Sequence, residues 1–400
     1  MLCGLMPSRN GAEANHTFAR PGTLGWPHYL RELGYDTAAF GKIAHGQDVK
    51  RWDFTHYEMQ FDLGLVRSYV TNRSGDKPLC LFVGTHDPHV PWAKSTEYDP
   101  AKVKLPWNFV DTPETRNFRA NYYAEVTRAD TDMGALYDFI RQKLGTNTLF
   151  MFSSDHGAQW PFGKWNLYDT SIRTPLLAAW PGVIKPGTRT DAMVSWVDFA
   201  PTLIELAGGT SPAGLDGKSF AGVLLGKATM HRDEIYSTHS GDGKMNVYPI
   251  RALRTAQFKY IKNLHPEYEH TTHIDRNRPL TYWPSWVAAA KTNAAAAEIV
   301  RWYHERPAEE LFDIVRDPDE KLNLATDPTY ASTLKEMRGK LEAWMKSQGD
   351  SQKMFNTPYA KGTPELELPR RNPAGPAATR EAGLEAMTDP ASSKPARTKP

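Results

Sequence analysis

The sequence predicts an α/β fold: a doubly wound, mostly parallel sheet flanked by helices, followed by a smaller α+β unit. Short apolar runs typical of strands alternate with helical patterns along the first two-thirds of the 400 residues. The composition, 40% hydrophobic and 24% charged, is that of a globular protein. A chain of this length can bury the cores of one large domain and one smaller domain.

The individual elements follow from the spacing of apolar residues and from the glycines near their ends. Strands are predicted at 35–40, 79–84, 148–153 and 175–180, and the last three are short apolar runs expected to be buried. Helices are predicted at 26–33, 122–144 and 198–206. Further along, strand patterns at 250–263 and 310–313 precede a helical pattern at 330–348.

These patterns divide the chain into three regions. Residues 1–216 form the main α/β domain, and residues 217–362 form a subdomain with a small antiparallel sheet and a helix. Residues 363–400 are rich in proline and poor in large apolar side chains, which predicts a disordered tail.

Charge and composition exclude several classes of function. A formal net charge of +2 at pH 7 provides no basic field for nucleic acid or a membrane surface. Two cysteines are too few for a disulfide framework or a cysteine-based zinc site. No apolar run is long enough to span a membrane, and the first residues lack the pattern of a signal peptide.

Polar clusters follow three of the predicted strands. In open α/β sheets the carboxyl ends of the strands border the ligand crevice, so these clusters are expected to meet there. They contribute Lys42 and His45 after the first strand, His86 and His89 after the second, and Asp155, His156 and the nearby Lys164 after the third.

The residue types indicate a reaction. Asp155 and His156 are suitable ligands for a hard divalent cation such as calcium or magnesium. Lys42 and Lys164 are point charges suited to a tetrahedral oxyanion, and the three histidines can supply a general acid. The combination predicts hydrolysis of a sulfate or phosphate ester.

Each residue also has an ordinary explanation. Taken alone, Lys42 could be a solvated loop residue. Residues 155–157 could form a turn that caps a helix, and His86 and His89 could be ordinary loop residues. Trp165, next to Lys164, is either a packing residue or part of the wall of a sugar cleft, and we include it as a candidate substrate-binding residue. The coincidence of all three clusters favours a site.

At this point the sequence resembles the sulfatases of the alkaline-phosphatase-like superfamily, over most of residues 2–330. The matching segments occur in the order found in that family. They are GKIAH at 41–45, THDPHVPW at 85–92, YYAEVTRADTDMG at 122–134, FSSDHG at 152–157, Lys164, IRTPLLAAWP at 172–181 and ELFDIVRDPDEKLNL at 310–324.

The resemblance implies specific roles for several residues. Asp155 and His156 would ligate Ca²⁺, with Mg²⁺ as an alternative, and Lys42 and Lys164 would hold the sulfate oxygens. His45 and His86 would assist the nucleophile and protonate the leaving atom. His89 would contact the substrate. Asp130 would support the architecture of the site.

The sequence departs from the family pattern at its start. Sulfatases carry Cys-x-Pro-Ser-Arg, whose first residue becomes a formylglycine nucleophile. Aligning Pro7 with that proline would place the unreactive Leu5 at the nucleophile position. Aligning residues 1–4 with the end of the signature preserves the spacing to Lys42 and places the nucleophile before Met1. We therefore expect an N-terminally truncated and inactive chain, without the first strand and its two metal-binding aspartates.

The substrate class is expected to be a sulfated saccharide similar to a glycosaminoglycan. Residues 248–264 and 301–311 resemble the heparan N-sulfatase (sulfamidase) branch, which acts on N-sulfoglucosamine, whereas the spacing of 42–45 resembles iduronate-type sulfatases. A phosphodiesterase or phosphonate hydrolase, and an inactive protein that binds anionic glycan, are the alternatives. The family resemblance implies a periplasmic or secreted bacterial protein.

Overall fold

The computed structural model describes residues 1–44, 46–276 and 281–362. His45 and the predicted tail at 363–400 lie outside the described residues. The helices are α1 Pro7–Asn10, α2 Trp26–Glu32, α3 Leu63–Asn72, α4 Pro113–Leu144, α5 Asp169–Ile172, α6 Phe199–Leu206, α7 Ala221–Leu224, α8 His273–Arg276, α9 Trp283–Ala290, α10 Ala294–His304 and α11 Ala331–Gln348. The strands are β1 Asp36–Gly41, β2 His56–Glu58, β3 Leu79–Gly84, β4 Phe150–Ser153, β5 Leu176–Ala179, β6 Ile235–His239, β7 Ile250–Arg254, β8 Phe258–Asn263, β9 Tyr268–Glu269, β10 Glu309–Asp313 and β11 Tyr359–Ala360.

The sheet of the first domain consists of two pieces in the part of the chain that the structure describes. One piece has the parallel order β2-β1-β3, and the other is the antiparallel pair β4-β5. The second pair is antiparallel because the chain leaves β4 at Ser153 and returns at the same end, where Leu176 pairs with Ser153. The predicted parallel character therefore holds for the first piece only.

Helices cover both faces of the first piece. Leu136 and Ile140 of α4 pack with Phe40 of β1 and with helix α3 on one face, and the same cluster includes Leu79 of β3 and Phe150 of β4. Helices α2 and α6 pack on the opposite face. Helix α4 therefore lies over both pieces of the sheet.

Helix α4 begins at Pro113, nine residues before its predicted start. The hydroxyl oxygen of Thr112 accepts a hydrogen bond from the Thr115 backbone N–H at 3.1 Å, and Pro113 occupies the first helical turn. A threonine cap followed by proline is a recognised helix start, and the apolar periodicity by itself did not reveal it.

The strands β3, β4 and β5 are less buried than the sequence predicts. Each has residues of intermediate exposure along its length, and Leu177 of β5 is 62% exposed. Strand β1, by contrast, is buried from Thr37 to Gly41. The prediction of fully buried strands is wrong for β3, β4 and β5, since each pairs with a neighbouring strand on one side only among the described residues.

The second region contains an antiparallel sheet of order β10-β8-β7-β6 with α11 packed against it. The largest apolar cluster joins this sheet to the first domain, because Trp160 and Phe162 share it with Ile250, Ile261 and Trp283. The predicted boundary at residue 216 stays a prediction. Among the described residues, no helix has the length and apolar character needed to cross a membrane.

Candidate active site

The ends of β1 and β3 lie in close contact, which places Lys42 beside the loop at 85–92. The Lys42 backbone N–H donates to the Gly84 carbonyl at 2.9 Å. A Cβ on Gly41 would lie 2.0 Å from the Gly84 carbonyl oxygen, and a Cβ on Gly84 would lie 2.1 Å from that of Lys42. Gly41 also has φ +77°, a conformation that favours glycine. Only glycine allows the two strands to end so close together.

Helix α4 anchors the loop at 85–92. The Asp87 carboxylate accepts a hydrogen bond from Arg128 Nε at 2.7 Å, and Arg128 also pairs with the buried Glu125. Glu125 Oε1 accepts from the Ala93 N–H at 3.0 Å. Arg128 and Glu125 hold the loop, whereas Asp130 is exposed and its expected supporting role stays a prediction.

His89 and Lys164 meet across the site. Lys164 Nζ lies 3.4 Å from His89 Nε2, while His89 Nδ1 lies 2.7 Å from the Val90 carbonyl. A carbonyl only accepts, so Nδ1 carries the hydrogen and Nε2 is the acceptor for the lysine. His86 lies partly buried in the same loop, and its carbonyl accepts the His89 N–H at 2.6 Å.

Asp155 and His156 follow β4 in a turn that Gly157 makes possible. A Cβ on Gly157 would lie 1.9 Å from the Thr170 carbonyl oxygen of α5. His156 Nδ1 lies 2.7 Å from the Gly157 carbonyl, so Nδ1 donates and Nε2 of the neutral ring carries a lone pair. Asp155 Oδ2 lies 3.3 Å from Nε2 and is also an acceptor, so the neutral ring makes no hydrogen bond with it. The Asp155 side chain is 76% exposed.

The pKa values show that Lys42, His89, Asp155, His156 and Lys164 act on one another. Burial, Lys164 and Lys42 together lower the pKa of His89 to about 2. Burial and the charge of Lys42 lower the pKa of Lys164 to about 8. Desolvation would raise the pKa of Asp155, but its side chain is 76% exposed, and His156 and the two lysines hold that pKa below its ordinary value. At neutral pH the site therefore has a mostly charged Lys164, a neutral His89 and an ionised Asp155.

Trp165 forms a wall next to Lys164. Lys164 Nζ lies 5.0 Å from the centre of the Trp165 ring, and Trp165 stacks on His273 at 5.0 Å between ring centres. Trp165 is only 6% exposed. Its predicted contact with substrate stays a prediction.

Asp242 is a residue of this region that sequence reasoning missed. Its buried carboxylate accepts from Trp165 Nε1 at 2.8 Å and lies 3.3 Å from His273 Nε2 and 3.5 Å from His16 Nε2. It also raises the pKa of Lys164, against burial and Lys42. The available signal was its position in a Gly-Asp-Gly turn at 241–243.

The two cysteines are unsuited to nucleophilic attack. Cys3 is 5% exposed and packs in a small apolar cluster, and Cys80 lies within β3. Burial raises the pKa of the Cys80 thiol to about 12, so it stays protonated and unreactive at neutral pH.

The donors at the site fit only part of a calcium shell. The Asp155 carboxylate and the free Nε2 of His156 are suitable ligands, and the bond from His156 Nδ1 to a backbone carbonyl is typical of histidines that bind metals. Calcium takes about six to eight oxygen ligands. Within residues 1–44, 46–276 and 281–362, no group of three or more His, Cys, Asp or Glu side chains is arranged to hold a metal.

Comparison with known proteins agrees with the motifs. The family description "Sulfatase" matches residues 1–209, and "N-sulphoglucosamine sulphohydrolase, C-terminal" matches residues 156–278. The chain is 29% identical over 391 residues to an ulvan-active sulfatase of Formosa agariphila, covering 93% of this chain and 75% of that protein. It is 27% identical over 402 residues to human N-sulphoglucosamine sulphohydrolase, covering 86% and 79%.

Solved structures share the fold at low sequence identity. A structure bound to its substrate D-glucosamine-2-N,6-O-disulfate has a TM-score of 0.63 and 18% identity, over 88% of this chain and 87% of that one. The phosphonate monoester hydrolase of Silicibacter pomeroyi has a TM-score of 0.63 and 18% identity, over 88% and 85%. The family and fold that the sequence predicts are confirmed: the chain belongs to the sulfatase family and has the alkaline-phosphatase-like fold.

Proposed function

We propose that this protein hydrolyses sulfate esters or sulfamates on sulfated saccharides. The observation that carries the proposal is the convergence of Lys42 and Lys164, from separate segments, on one place beside His89 and Asp155. Lys42 and Lys164 offer two cations to a tetrahedral oxyanion, while the nearby Asp242 carboxylate is engaged by Trp165, His273 and His16.

Each of these side chains has a defined task in the proposal. Lys42 and Lys164 bind the sulfate oxygens and neutralise the charge that develops as the bond to the leaving atom breaks. His89 is a poor acid because its pKa is about 2, so its Nε2 accepts a hydrogen bond from Lys164 and fixes the direction of that ammonium group. Protonation of the leaving atom by His86 or His45 stays a prediction.

The nucleophile belongs, in this proposal, to a segment outside residues 1–400. It would be a formylglycine, made from cysteine or serine, and it would arrive with one more strand between β3 and β4. The incomplete burial of β3 and β4 under the shared helix α4 supports this position for the strand.

A calcium ion, with magnesium as the alternative, is part of the same proposal. Asp155 and His156 would supply two ligands, and the added segment would supply the remaining carboxylates. When bound, the metal would counter the negative charge of the sulfate group and the nucleophile. The roles proposed for Lys42, Lys164 and His89 do not depend on the metal.

The substrate class follows from the relatives. Human N-sulphoglucosamine sulphohydrolase and the ulvan-active sulfatase both have names that denote sulfated sugars, and both align with most of this chain. We propose a glycosaminoglycan-like substrate with an N-sulfoglucosamine unit. Location in the periplasm or outside the cell stays a prediction.

Sulfate release tests the proposal directly. The 400-residue chain is compared with a version extended before Met1 by a strand and a formylglycine-bearing Cys-x-Pro-Ser-Arg segment. We expect release of sulfate from N-sulfoglucosamine by the extended version and very little by the shorter chain. In the extended version, Lys42→Ala and Lys164→Ala should each lower kcat/KM by about 100-fold or more.

Two results would overturn this proposal. Faster hydrolysis of a phosphonate monoester than of any sulfated sugar would assign the protein to the alternative activity of the same fold. Metal and glycan binding without turnover in the extended version would identify a binding protein. Rapid turnover by the 400-residue chain would contradict only the placement of the nucleophile outside residues 1–400. The proposed hydrolysis of sulfated saccharides would stand.

A further inference from the structure

A cavity lies on the C-terminal subdomain, and its lining contains none of the residues of the candidate active site. It has a volume of about 400 Å³ and is formed by the end of α10, strand β10 and the segment after it. Its wall includes Arg301, Trp302, Arg306, Glu310, Lys321 and Lys361. We call it the Arg306 pocket. Lys42, His89, Asp155 and Lys164 take no part in its lining.

The charge of the Arg306 pocket is positive. Arginine and lysine contribute four cations to the lining, against the carboxylates of Glu305 and Glu310. The Glu310 carboxylate is already engaged, since it accepts from Tyr168 Oη at 2.6 Å and from Asn263 Nδ2 at 2.9 Å. Arg301 and Lys321 also have carboxylate partners, since Arg301 pairs with Glu298 and Glu305 and Lys321 pairs with Asp319. Among the described residues, the remaining positive charge that an anion meets in the pocket comes from Arg306 and Lys361.

Arg306 is a buried cation with an unused donor. It is 4% exposed, and its two Nη atoms donate to Tyr168 Oη at 2.6 Å and to Asn166 Oδ1 at 3.2 Å. Its Nε has no hydrogen-bond partner among the described residues. A buried charged N–H without a partner is costly, and an anionic oxygen is the partner that satisfies it best.

Aromatic side chains line the same region. Trp302 is partly buried and stacks on Phe162 at 4.1 Å and on Trp107 at 5.4 Å between ring centres. Trp107 is 40% exposed, and Lys321 Nζ lies 5.6 Å from the centre of its ring. A partly exposed aromatic surface beside cations offers an apolar contact for a sugar ring and charge for its substituents.

We propose that the Arg306 pocket binds an anionic unit of a sulfated saccharide, as a site separate from the one formed by Lys42 and Lys164. The proposal rests on the proposed function for its choice of ligand. The two sites share one loop, because Asn166 accepts from Arg306 and its Nδ2 donates to the Lys164 carbonyl at 3.3 Å. The second site holds a polymeric substrate in addition to the unit being cleaved.

Binding of a heparin-derived octasaccharide to the 400-residue chain tests this proposal, and it requires no turnover. The test variant is Lys321→Ala/Lys361→Ala, which removes two exposed charges at the pocket. The matched control is Lys335→Ala/Lys346→Ala, which removes two exposed charges from α11. We expect the test variant to bind about fivefold more weakly by calorimetry, with the control unchanged. Arg306→Gln, checked for folding by circular dichroism, should weaken binding as well.

The possible results separate this proposal from the proposed function. Equal affinity of the test and control variants, or no binding by the wild-type chain, would overturn the pocket proposal, and sulfate release by the extended version would be unaffected. Weaker binding by the test variant supports the pocket even if the extended version releases no sulfate. A desulfated octasaccharide that binds as tightly as the sulfated one would also contradict the proposal.

Discussion

The four-stranded C-terminal sheet and the two sheet pieces of the first domain differ in how well most of their strands are covered. In the C-terminal sheet, β7, β8 and β10 consist mostly of buried residues, whereas β3, β4 and β5 of the first domain contain none that is fully buried. The less buried set is the more apolar in sequence, since β3 is LCLFVG and β5 is LLAA, whereas β8 is FKYIKN and β10 is EELFD. Burial of a strand therefore depends on what packs against it and not on its apolar content alone, and even the edge strand β10 is mostly buried. The candidate active site lies at the ends of the less covered strands.

Lys259 connects the two regions, and its replacement is expected to have the largest effect. The fully buried Lys259 ammonium pairs with Asp169 of α5 and with Glu320 at 2.9 Å. Lys259→Met should lower the free energy of unfolding by about 3–5 kcal/mol, because the buried Glu320 loses its cation and Asp169 keeps only Arg254. The control Lys262→Met, on the same strand but in a more exposed pair with Glu342, should cost less than about 1 kcal/mol. Urea unfolding measures both, and equal losses would contradict this account.

The pH dependence of that loss has a defined sign. Burial would raise the pKa of Asp169, but Lys259 and Arg254 outweigh it and lower the folded-state pKa. The stabilisation by ionised Asp169 is thus present above its unfolded-state pKa and is lost as the pH falls through the folded-state value. In Lys259→Met, protonation of the buried carboxylates removes their uncompensated charge and so stabilises the folded variant. The difference between wild type and variant should therefore shrink as the pH falls from 7 towards 4.

Two matched leucines test the comparison of the sheets itself. Leu253 of β7 is 0% exposed, whereas Leu81 of β3 is only partly buried. Leu253→Ala should lower the free energy of unfolding by about 3 kcal/mol and Leu81→Ala by about 1 kcal/mol, because less apolar contact is lost from β3. Denaturant titration measures both values. In a version with the added strand, the cost of Leu81→Ala should rise towards that of Leu253→Ala.

The affinity of the candidate active site for sulfate should depend on pH. The affinity of the Arg306 guanidinium for an anion should not. Lys164 has a pKa of about 8, so it is mostly charged at pH 7 and mostly neutral at pH 9. Binding of inorganic sulfate at this site should therefore weaken by about tenfold between these pH values. His89 stays neutral throughout, since its pKa is about 2. Calorimetry with wild type and Lys164→Ala checks this, and an unchanged pH dependence in the variant would exclude Lys164 as the source.

The smallest effect is expected at the outer edge of the first domain. Leu177 is 62% exposed, so Leu177→Thr should change the free energy of unfolding by less than about 0.5 kcal/mol. The same denaturant titration measures it. A loss above about 1.5 kcal/mol would mean that another segment or another chain covers β5 in solution.

Local patterns predicted much of the fold, and their failures have physical causes. Strand β3 matches its predicted range, and α2, α6 and α11 agree with theirs to within one or two residues at each end, because apolar spacing and end residues are local signals. The burial of β3 was misjudged because it depends on which strands become neighbours. The antiparallel pairing of β4 with β5 likewise depends on the path of the chain between them.

The sequence analysis identified those residues of the candidate site that directly follow the ends of strands. Lys42, His89 and Asp155 lie where the strand-end argument expects them, close enough to shift one another's pKa values. Asp242 and Arg128 were missed, because their roles arise from contacts between distant parts of the chain. Asp242 is 77 residues from Trp165, and Arg128 is 41 residues from Asp87.

Gly41 and Gly84 have a consequence for the selectivity of the cleft. Because a methyl group at either position would overlap a backbone carbonyl of the facing strand, the separation of Lys42 from the loop of His89 is fixed by two residues that have no side chains. The cleft thus has a set width, which long and flexible lysines alone would not provide. Alanine at either glycine should push the strand ends apart and relax the discrimination between tetrahedral oxyanions and larger anions. We expect the size selectivity of the proposed sulfate site to depend on the backbone at these two glycines.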